Sequence, residues 1–152
     1  MEIAIKSFKK LSKQELYRIL QLRNEIFIVE QNCPYLDLDN LDEKAYHALG
    51  IDASGICAYT RIFKAGDYFE EPSIGRVAVS EDCRGRGFGK EIMQASVDYI
   101  DAKWPMQNIV ISAQLYLKKF YQELGFETIE EEYLEDDIPH IKMKRRWIPQ
   151  SP

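Results

Sequence analysis

A short glycine-rich segment, with the sequence RGRGFG at residues 84–89, constrains this chain more than any other feature. It follows a predicted strand at Ser73–Val79, and the apolar residues between 92 and 100 recur at the spacing of a helix. Backbone amides at a helix N-terminus bind anions, and glycines let the main chain approach a diphosphate without Cβ clashes. Arg84 and Arg86 add charge-assisted contacts. The segment therefore predicts a diphosphate site where a strand turns into a helix.

Three phosphate-binding motifs could account for this segment, and two of them fail, one at a single residue and the other at two. The dinucleotide fingerprint GxGxxG needs a third glycine where the chain has Lys90. The P-loop GxxxxGKS/T needs a glycine where the chain has Arg84 and a magnesium-binding hydroxyl where it has Glu91. The pattern Gln/Arg-x-x-Gly-x-Gly/Ala does fit. Glycines that merely end a strand are the competing interpretation, so the pattern alone does not decide.

A second segment, residues 113–126, has the sequence AQLYLKKFYQELGF and predicts a strand, a short helix at 114–124 and a further strand. Gly125 is a good C-terminal cap for that helix. Tyr121 could belong to the core, but Leu117, Phe120 and Leu124 already provide an apolar face without it.

The two segments together resemble the coenzyme A loop and the Phe-Tyr-x-x-x-Gly-Phe signature of the GNAT superfamily of N-acetyltransferases. Three further segments are similar to its ElaA-like branch: LRNEIFIVEQNCPYLDLD at 22–39, PSIGRV at 72–77 and IPHI at 138–141. The resemblance covers nearly the whole chain. It has three departures: Gln114 replaces the usual Asn, Ser73 stands where some members carry Glu, and Asp137 stands where glycine is expected.

The resemblance implies an α/β fold (α+β with a mixed sheet) in which helices flank a splayed central sheet. It also implies that residues 1–152 form one domain. The hydrophobic periodicity predicts the order β-α-β-β-β-α-β-α-β-β. The strands are predicted at 2–6, 46–51, 56–63, 73–79, 108–113, 126–129 and 140–146. The first helix follows a capping box at 12–15 and ends near Glu30, because Pro34 cannot continue it.

The resemblance also implies an acetyl-coenzyme-A-dependent N-acetyltransferase, in which a primary amine attacks the thioester directly in a ternary complex without a metal. The coenzyme A ligands are expected from the diphosphate loop, the strand before it and the second segment: Val77, Val79, Arg84, Gly85, Arg86, Gly87, Phe88, Gly89, Lys90, Gln114 and Tyr121. Tyr121 is expected to protonate the leaving thiolate. The alternative is a module of the same fold that binds acyl-coenzyme A as a sensor without turnover, which the missing carboxylate at Ser73 favours.

The group that takes the proton of the amine has several candidates. Ser73 is itself a poor base, so the proton could pass through water to Glu30, Glu71 or His140. Glu30 could equally face solvent at the end of the first helix, and His140 could be a structural histidine at the start of a strand. His47 lies in an apolar strand and is predicted to be a satisfied core residue.

The acceptor, a small-molecule or peptidyl amine, is expected between the loop after the first helix and the last strands. Its candidate ligands are carboxylates and their neighbours on these segments: Glu30, Tyr35, Asp37, Asp39, Arg76 and His140. Carboxylates would attract an ammonium group, and Tyr35 would cover its apolar stem. The aspartates could instead be turn formers. Arg76, within an apolar strand, either reaches a cleft or pairs with a carboxylate.

Charge and composition exclude other classes. The chain carries 20 Lys and Arg against 25 Asp and Glu, a net charge of −5, without the basic face of a nucleic-acid binder. Cys33, Cys57 and Cys83 form no CxxC motif for a metal and fit reduced thiols in the cytoplasm. We find no signal peptide or membrane span, and a homodimer is compatible with the sequence. Seven acids between 127 and 137 predict a solvated hairpin.

Overall fold

The computed structural model describes residues 1–149 and contains one mixed, eight-stranded sheet, which confirms the expected α/β class. The strands are β1 (Glu2–Ser7), β2 (Tyr46–Asp52), β3 (Gly55–Phe63), β4 (Ser73–Val79), β5 (Ile109–Gln114), β6 (Glu127–Thr128), β7 (Tyr133–Glu135) and β8 (Ile138–Arg145). The α-helices are α1 (Lys13–Arg23), α2 (Phe88–Lys103) and α3 (Lys118–Gln122). The strand order is β1-β2-β3-β4-β5-β8-β6, and β7 pairs with β8.

The sheet opens at its centre, where its direction changes. β1 to β4 pair antiparallel in chain order, and β5 pairs antiparallel with β8 over its whole length. β4 and β5 instead run parallel, and their register consists of the single pair Ser73 with Val110. The two strands therefore separate beyond Ser73, which confirms the splayed central sheet.

Helices cover both faces of the sheet. α1 contributes Ile19 and Leu22 to a buried cluster that includes Leu49 of β2, whereas Ala48 of the same strand belongs to a second cluster around α2. Neighbouring strand residues point to opposite faces, so α1 and α2 lie on opposite sides. Within residues 1–149, no helix combines the length and the apolar character that crossing a bilayer requires.

Local chemistry fixes both ends of the first helix. Ser12 Oγ accepts a hydrogen bond from the Glu15 N–H at 3.0 Å, and Glu15 Oε1 accepts one from the Ser12 N–H at 2.9 Å, which confirms the capping box. Beyond α1 the chain continues as a π-helical segment, Asn24–Glu30, so the helical stretch ends where it was predicted. π-Helical segments are rare and often lie at functional sites.

The segment 113–126 folds with shorter elements than predicted. The expected helix at 114–124 is a 3₁₀ turn, Leu115–Leu117, followed by the five-residue α3. Gly125 then adopts a left-handed φ of 94°, as a helix-terminating glycine does. The strand expected at 126–129 is reduced to β6.

The acidic run near the C-terminus forms a hairpin between β7 and β8, and β7 was not predicted as a separate strand. Asp136 and Asp137 form its turn, with φ values of 49° and 63°. A two-residue hairpin turn with positive φ at both positions matches the twist of the flanking strands. Aspartate tolerates this region better than most residues, which explains how the chain dispenses with the expected glycine. β8 begins at Ile138, two residues before its predicted start.

Candidate active site

The separation of β4 from β5 leads into a cavity of about 700 Å³. A bulge contributes to it, because the register of β3 against β4 shifts near Arg61 and leaves an extra residue on β4. Arg76 lies in this bulge with a left-handed φ of 51°. Bulges turn side chains away from their regular direction. Arg76, Val77 and Val79 all line the cavity.

The glycine-rich loop provides an anion-binding helix start at one end of this cavity. Gly85 and Gly87 have φ values of 79° and 77°, which side chains disfavour, and a Cβ on either would face open space. Gly87 is the N-cap of α2 and makes no side-chain cap hydrogen bond. The first amides of this 16-residue helix are therefore available to an anion at the positive end of its dipole. These features fit the diphosphate of coenzyme A.

The basic side chains of the loop differ in how they are engaged. Arg84 forms a bidentate ion pair with Glu30, both N–O distances being 2.7 Å, and its Nε donates to the Val79 carbonyl at 3.2 Å. Arg86 lies 3.7 Å from Asp52 and is largely exposed, as is Lys90. The Arg84 hydrogen bonds lower the pKa of Glu30. A carboxylate held in this way is a poor proton acceptor, which argues against Glu30 as the base.

Tyr121 lies on the other wall of the opening. Its ring packs edge-on against Phe120 and Phe126, at centroid distances of 5.1 and 6.1 Å. Only 5% of the residue is exposed, and burial raises the pKa of its hydroxyl. The hydroxyl is therefore protonated at neutral pH and able to donate. Gln114, at the end of β5, exchanges side-chain hydrogen bonds with Gln31 at 3.2 and 3.4 Å.

Ser112, Glu135 and His140, from β5, β7 and β8, belong to a polar cluster that lines the cavity, and we call the part they line its far end. His140 Nδ1 lies 2.7 Å from the Ile138 carbonyl oxygen, and its Nε2 lies 3.2 Å from Glu135 Oε2. Ser112 donates to the same Glu135 oxygen at 3.3 Å and shares a hydrogen bond with the Tyr133 hydroxyl. Glu135 belongs to the acidic run that was predicted to be a solvated hairpin, and neither Ser112 nor Tyr133 was predicted to be a site residue.

An aromatic wall adjoins this cluster and was also missed. Phe63 and Tyr68 stack with ring centroids 5.3 Å apart, and Phe69 meets Tyr68 edge-on at 4.8 Å. All three line the cavity, together with Tyr35 from the loop after α1. The far end of the cavity therefore combines aromatic surface with the Glu135 carboxylate.

Three arginines and three aspartates form an ion network beside the cavity: Arg23, Arg61, Arg76, Asp37, Asp39 and Asp42. Arg23, fully buried, pairs with Asp37 at 2.9 Å and with Asp42 at 2.8 Å. Arg61 pairs with Asp39 at 2.8 Å. Burial acts to raise the pKa values of Asp39 and Asp42, but the arginines outweigh it and hold both below their usual range. The network is neutral by charge count.

One further group of metal-ligand types exists among the described residues. Asp52, Cys57 and Cys83 place one ligand atom each within 4.8 Å of one another, although the two cysteines are far apart in sequence. None of the three lines the cavity, and burial raises the pKa of Cys57 to about 12. The guanidinium of Arg86, 3.7 Å from Asp52, disfavours a cation at this position.

The family follows from comparison with known proteins. Residues 6–147 match the family model described as Acetyltransferase (GNAT) domain. The chain belongs to the GNAT acetyltransferase family. Protein ElaA of Escherichia coli is 43% identical over 141 residues, which cover 91% of this chain and 92% of ElaA. This confirms both the GNAT and the ElaA-like resemblance.

Solved GNAT structures share the fold. An acyl-CoA N-acyltransferase from Pseudomonas aeruginosa is 37% identical with a TM-score of 0.89, covering 95% of this chain and 98% of that one. The crystal structure of E. coli ElaA, at 41% identity and 95% and 99% coverage, gives the same TM-score of 0.89. An aminoglycoside 6'-N-acetyltransferase complexed with coenzyme A has a TM-score of 0.72, with 98% and 99% coverage, and at 13% identity shows the fold alone.

The cavity of this GNAT domain gathers most residues singled out in the sequence: Glu30, Tyr35, Ser73, Arg76, Val77, Val79, Arg84, Gly89, Gln114, Tyr121 and His140. The other loop residues lie beside Arg84 and Gly89 but outside this lining: Gly85, Arg86, Gly87, Phe88 and Lys90. His47 is a satisfied core residue as predicted, 2.6 Å from the Tyr59 hydroxyl and 2.9 Å from the Asp42 carbonyl.

Two of the expected acceptor ligands need correction. Asp37 and Asp39 do not line the cavity, because their carboxylates are engaged by the arginines of the ion network. Arg76 joins this network through a 2.7 Å contact with Asp37, the carboxylate-pairing alternative for that residue. Apart from Glu30, the acidic side chains that line the cavity, Glu135 and Asp136, come from the hairpin.

Proposed function

We propose that the protein is an acetyl-coenzyme-A-dependent N-acetyltransferase that transfers the acetyl group to a primary amine by direct attack in a ternary complex. One observation carries this proposal: a single cavity connects the uncapped start of α2, the opening between β4 and β5, the Tyr121 hydroxyl and an acidic far end. Donor and acceptor sites on one cavity allow the two substrates to meet without a covalent enzyme intermediate.

The donor end supplies the ligands for coenzyme A. The first amides of α2, with Gly85 and Gly87, are suited to the diphosphate, and Arg86 and Lys90 are exposed beside them. The main chain of β4 at Val77 and Val79 and the Gln114 side chain are suited to polar groups of the pantetheine arm. The thioester supplies an activated acetyl carbonyl. Support for this arrangement comes from the fold shared with an enzyme solved in complex with coenzyme A.

Tyr121 acts as the acid in this proposal. Burial keeps its hydroxyl protonated at neutral pH, so that it can give its proton to the sulfur as the carbon–sulfur bond breaks. Main-chain N–H groups of β4, directed into the opening, stabilise negative charge on the carbonyl oxygen. Neither role requires a metal ion.

The acceptor is an amine bound against the aromatic wall and the hairpin. Glu135 attracts an ammonium group, and the rings of Tyr35, Phe63 and Tyr68 cover an apolar stem. The related aminoglycoside acetyltransferase acts on an amine, and we extend that substrate class to this protein. The exposed parts of the cavity admit either a small molecule or the end of a peptide.

Thiol release from acetyl-coenzyme A, measured with a panel of small and peptidyl amines, tests the proposal, and mass spectrometry identifies the acetylated product. We expect amine-dependent release with at least one class. A protein that binds acetyl-coenzyme A in calorimetry but releases no thiol with any amine would be a binding module, and the proposal would be wrong.

A further inference from the structure

We infer that Glu135 and His140 together accept the proton that the amine loses before it attacks. This inference rests on the proposed function and names the base at the same site. It follows from the geometry of the polar cluster, from the exposure of its two members, and from the state of the other carboxylates that line the cavity.

The hydrogen bond of His140 fixes the position of its lone pair. Nδ1 lies 2.7 Å from the Ile138 carbonyl oxygen, and a carbonyl can only accept a hydrogen bond. Nδ1 therefore carries a hydrogen in the neutral ring. The lone pair is on Nε2, which lies 3.2 Å from Glu135 Oε2. Main-chain geometry thus selects the tautomer whose free nitrogen faces a carboxylate.

When the ring is neutral and the carboxyl group is ionised, the two facing atoms of His140 and Glu135 are both hydrogen-bond acceptors, 3.2 Å apart. Such a contact gains nothing until a proton enters it, and one proton converts it into a charge-assisted hydrogen bond. The pair is therefore built to take up a single proton. Ser112 donates to the same carboxylate oxygen and is itself hydrogen-bonded to the Tyr133 hydroxyl, so Ser112 helps to hold the carboxylate in position.

Exposure assigns different roles to the two members. The side chain of Glu135 is 43% exposed and lines the cavity, whereas that of His140 is 9% exposed. The carboxylate therefore meets the ammonium group, and the imidazole behind it stabilises the proton after transfer. Tyr68 and Tyr133 face the same carboxylate, and burial raises the pKa of both hydroxyls, so they remain neutral where carboxyl and imidazole groups titrate. The Cys33 thiol, from the loop after α1, contacts the same hairpin, where it donates a hydrogen bond to the Asp136 carbonyl oxygen at 3.4 Å.

The other carboxylates along the cavity are less suited to this role. Three acidic residues line it within residues 1–149: Glu30, Glu135 and Asp136. Glu30 is held by the bidentate contact with Arg84. Asp136 is exposed in the hairpin turn. Glu135 is the one of the three that contacts a histidine.

The proton balance of the reaction is then complete. The ammonium gives one proton to the Glu135–His140 pair, and its freed lone pair forms the bond to the acetyl carbon. The carbon–sulfur bond breaks, Tyr121 protonates the thiolate, and the nitrogen loses its second proton to restore Tyr121 through solvent. The pair returns its proton to solvent after the products leave.

Two variants test the inference, with a third as the control. Glu135→Gln removes the charge and keeps the shape. His140→Asn keeps an N–H for the Ile138 carbonyl and removes Nε2. Glu132→Gln removes the same charge from an exposed position three residues away. We expect kcat/KM to fall on the order of a hundredfold in the first two, as for loss of a general base. We expect no change in the control, and unchanged coenzyme A affinity and melting temperature in all three.

The pH profile separates a base from a structural pair. Wild-type kcat/KM should level off once the pair is deprotonated, whereas that of Glu135→Gln should keep rising about tenfold per pH unit toward the pKa of the amine, because the free amine must then come from solution. A parallel profile in the variant, or normal turnover, would overturn the inference and leave the proposed function intact. Failure of the wild type to acetylate any amine would overturn both.

A readout without substrate completes the test. In ¹⁵N NMR of histidine-labelled protein, His140 should show the Nδ1–H tautomer at high pH, the reverse of the form that free histidine prefers. The His140→Asn variant assigns the signal against His47. An Nε2–H tautomer would contradict the geometry on which the pair depends and would overturn the inference.

Discussion

The two ends of the cavity are built from different groups. The proposed donor end consists largely of main chain: glycines at positive φ and the uncapped amides of α2. The proposed acceptor end consists of side chains from β5, β7, β8 and the loops, positioned by hydrogen bonds to one another. A glycine shapes the main chain wherever it occurs, whereas a side-chain site depends on which distant residues meet. The proposed donor site can therefore be predicted from the sequence, whereas the arrangement of the proposed acceptor site cannot.

The strongest test of the main-chain end is Gly87→Asp. A side chain and a negative charge would stand against the diphosphate at a position with φ of 77°. We expect coenzyme A binding to be abolished in calorimetry. Gly66→Asp is the matched control, because Gly66 also has a positive φ, 89°, and open space around its Cβ position. Equal affinity for coenzyme A in the folded Gly87→Asp and Gly66→Asp variants would contradict the proposed main-chain site.

The ion network provides the largest expected effect on stability. Asp42→Asn leaves the buried charges of Arg23 and Arg61 short of a partner. Removing one member of a buried ion pair typically costs about 3–5 kcal/mol, so we expect a loss of this size in urea denaturation. Arg146→Met, which removes an exposed contact of 3.9 Å with Glu127, should leave the free energy of unfolding unchanged. Similar values for both variants would contradict the buried role.

The same network predicts how stability depends on pH. The pKa values of Asp39 and Asp42 are lower in the folded protein than in the unfolded chain, where Asp has a pKa of about 3.9. Their contribution is therefore complete above that value and is lost as pH falls through the folded values. The melting temperature should drop steeply below about pH 4 in the wild type and less steeply in Asp42→Asn.

Tyr121→Phe tests a side chain at the boundary of the two ends. We expect turnover to fall on the order of a hundredfold, because the proton donor for the thiolate is lost. The affinity for acetyl-coenzyme A should weaken by about 1 kcal/mol at most, the worth of one hydrogen bond. Tyr17→Phe, at an exposed tyrosine, serves as the control in the same thiol-release assay. Unchanged turnover would mean that Tyr121 only packs.

The smallest effect is expected for Glu30→Gln. As the catalytic base, Glu30 would lose on the order of a hundredfold in turnover on substitution. As the exposed partner of Arg84, it is worth about 1 kcal/mol or less, so kinetic constants should change by about fivefold at most. Steady-state kinetics with a saturating amine distinguishes the two. A hundredfold loss would return Glu30 to the chemistry and contradict its assignment to the donor loop.

Much of the fold could be predicted because its signals are local. The capping box at Ser12, the glycine-rich start of α2 and the cap at Gly125 each depend on a few consecutive residues. β7 was not predicted because its pattern of exposure is the reverse of its hydrophobicity pattern. The apolar Leu134 is 69% exposed, whereas Tyr133 and Glu135 are partly buried. An acidic run with this arrangement looks like solvent-facing chain.

The pairing of Asp37 and Asp39 could not be predicted for a related reason. Asp37 and Asp39 are separated from their arginines by 14 to 39 residues, and the sequence does not say which charges will neutralise one another. A carboxylate in a loop near a site looks the same whether it is free or paired. The arginine at 76 was the one warning, since a charge within an apolar strand needs a partner.

The single pair that joins β4 to β5 has a thermodynamic consequence. Within residues 1–149, the main-chain groups of β4 that point toward β5 beyond Ser73 have no strand partner. They form an unpaired sheet edge in the interior of a domain. A ligand carrying amides can complete that edge. Ligand at a hundred times its Kd adds about 2.7 kcal/mol to the free energy of unfolding. The melting temperature should therefore rise with the concentration of coenzyme A. The amides of Val77 and Val79 should show the largest gain in protection from hydrogen exchange.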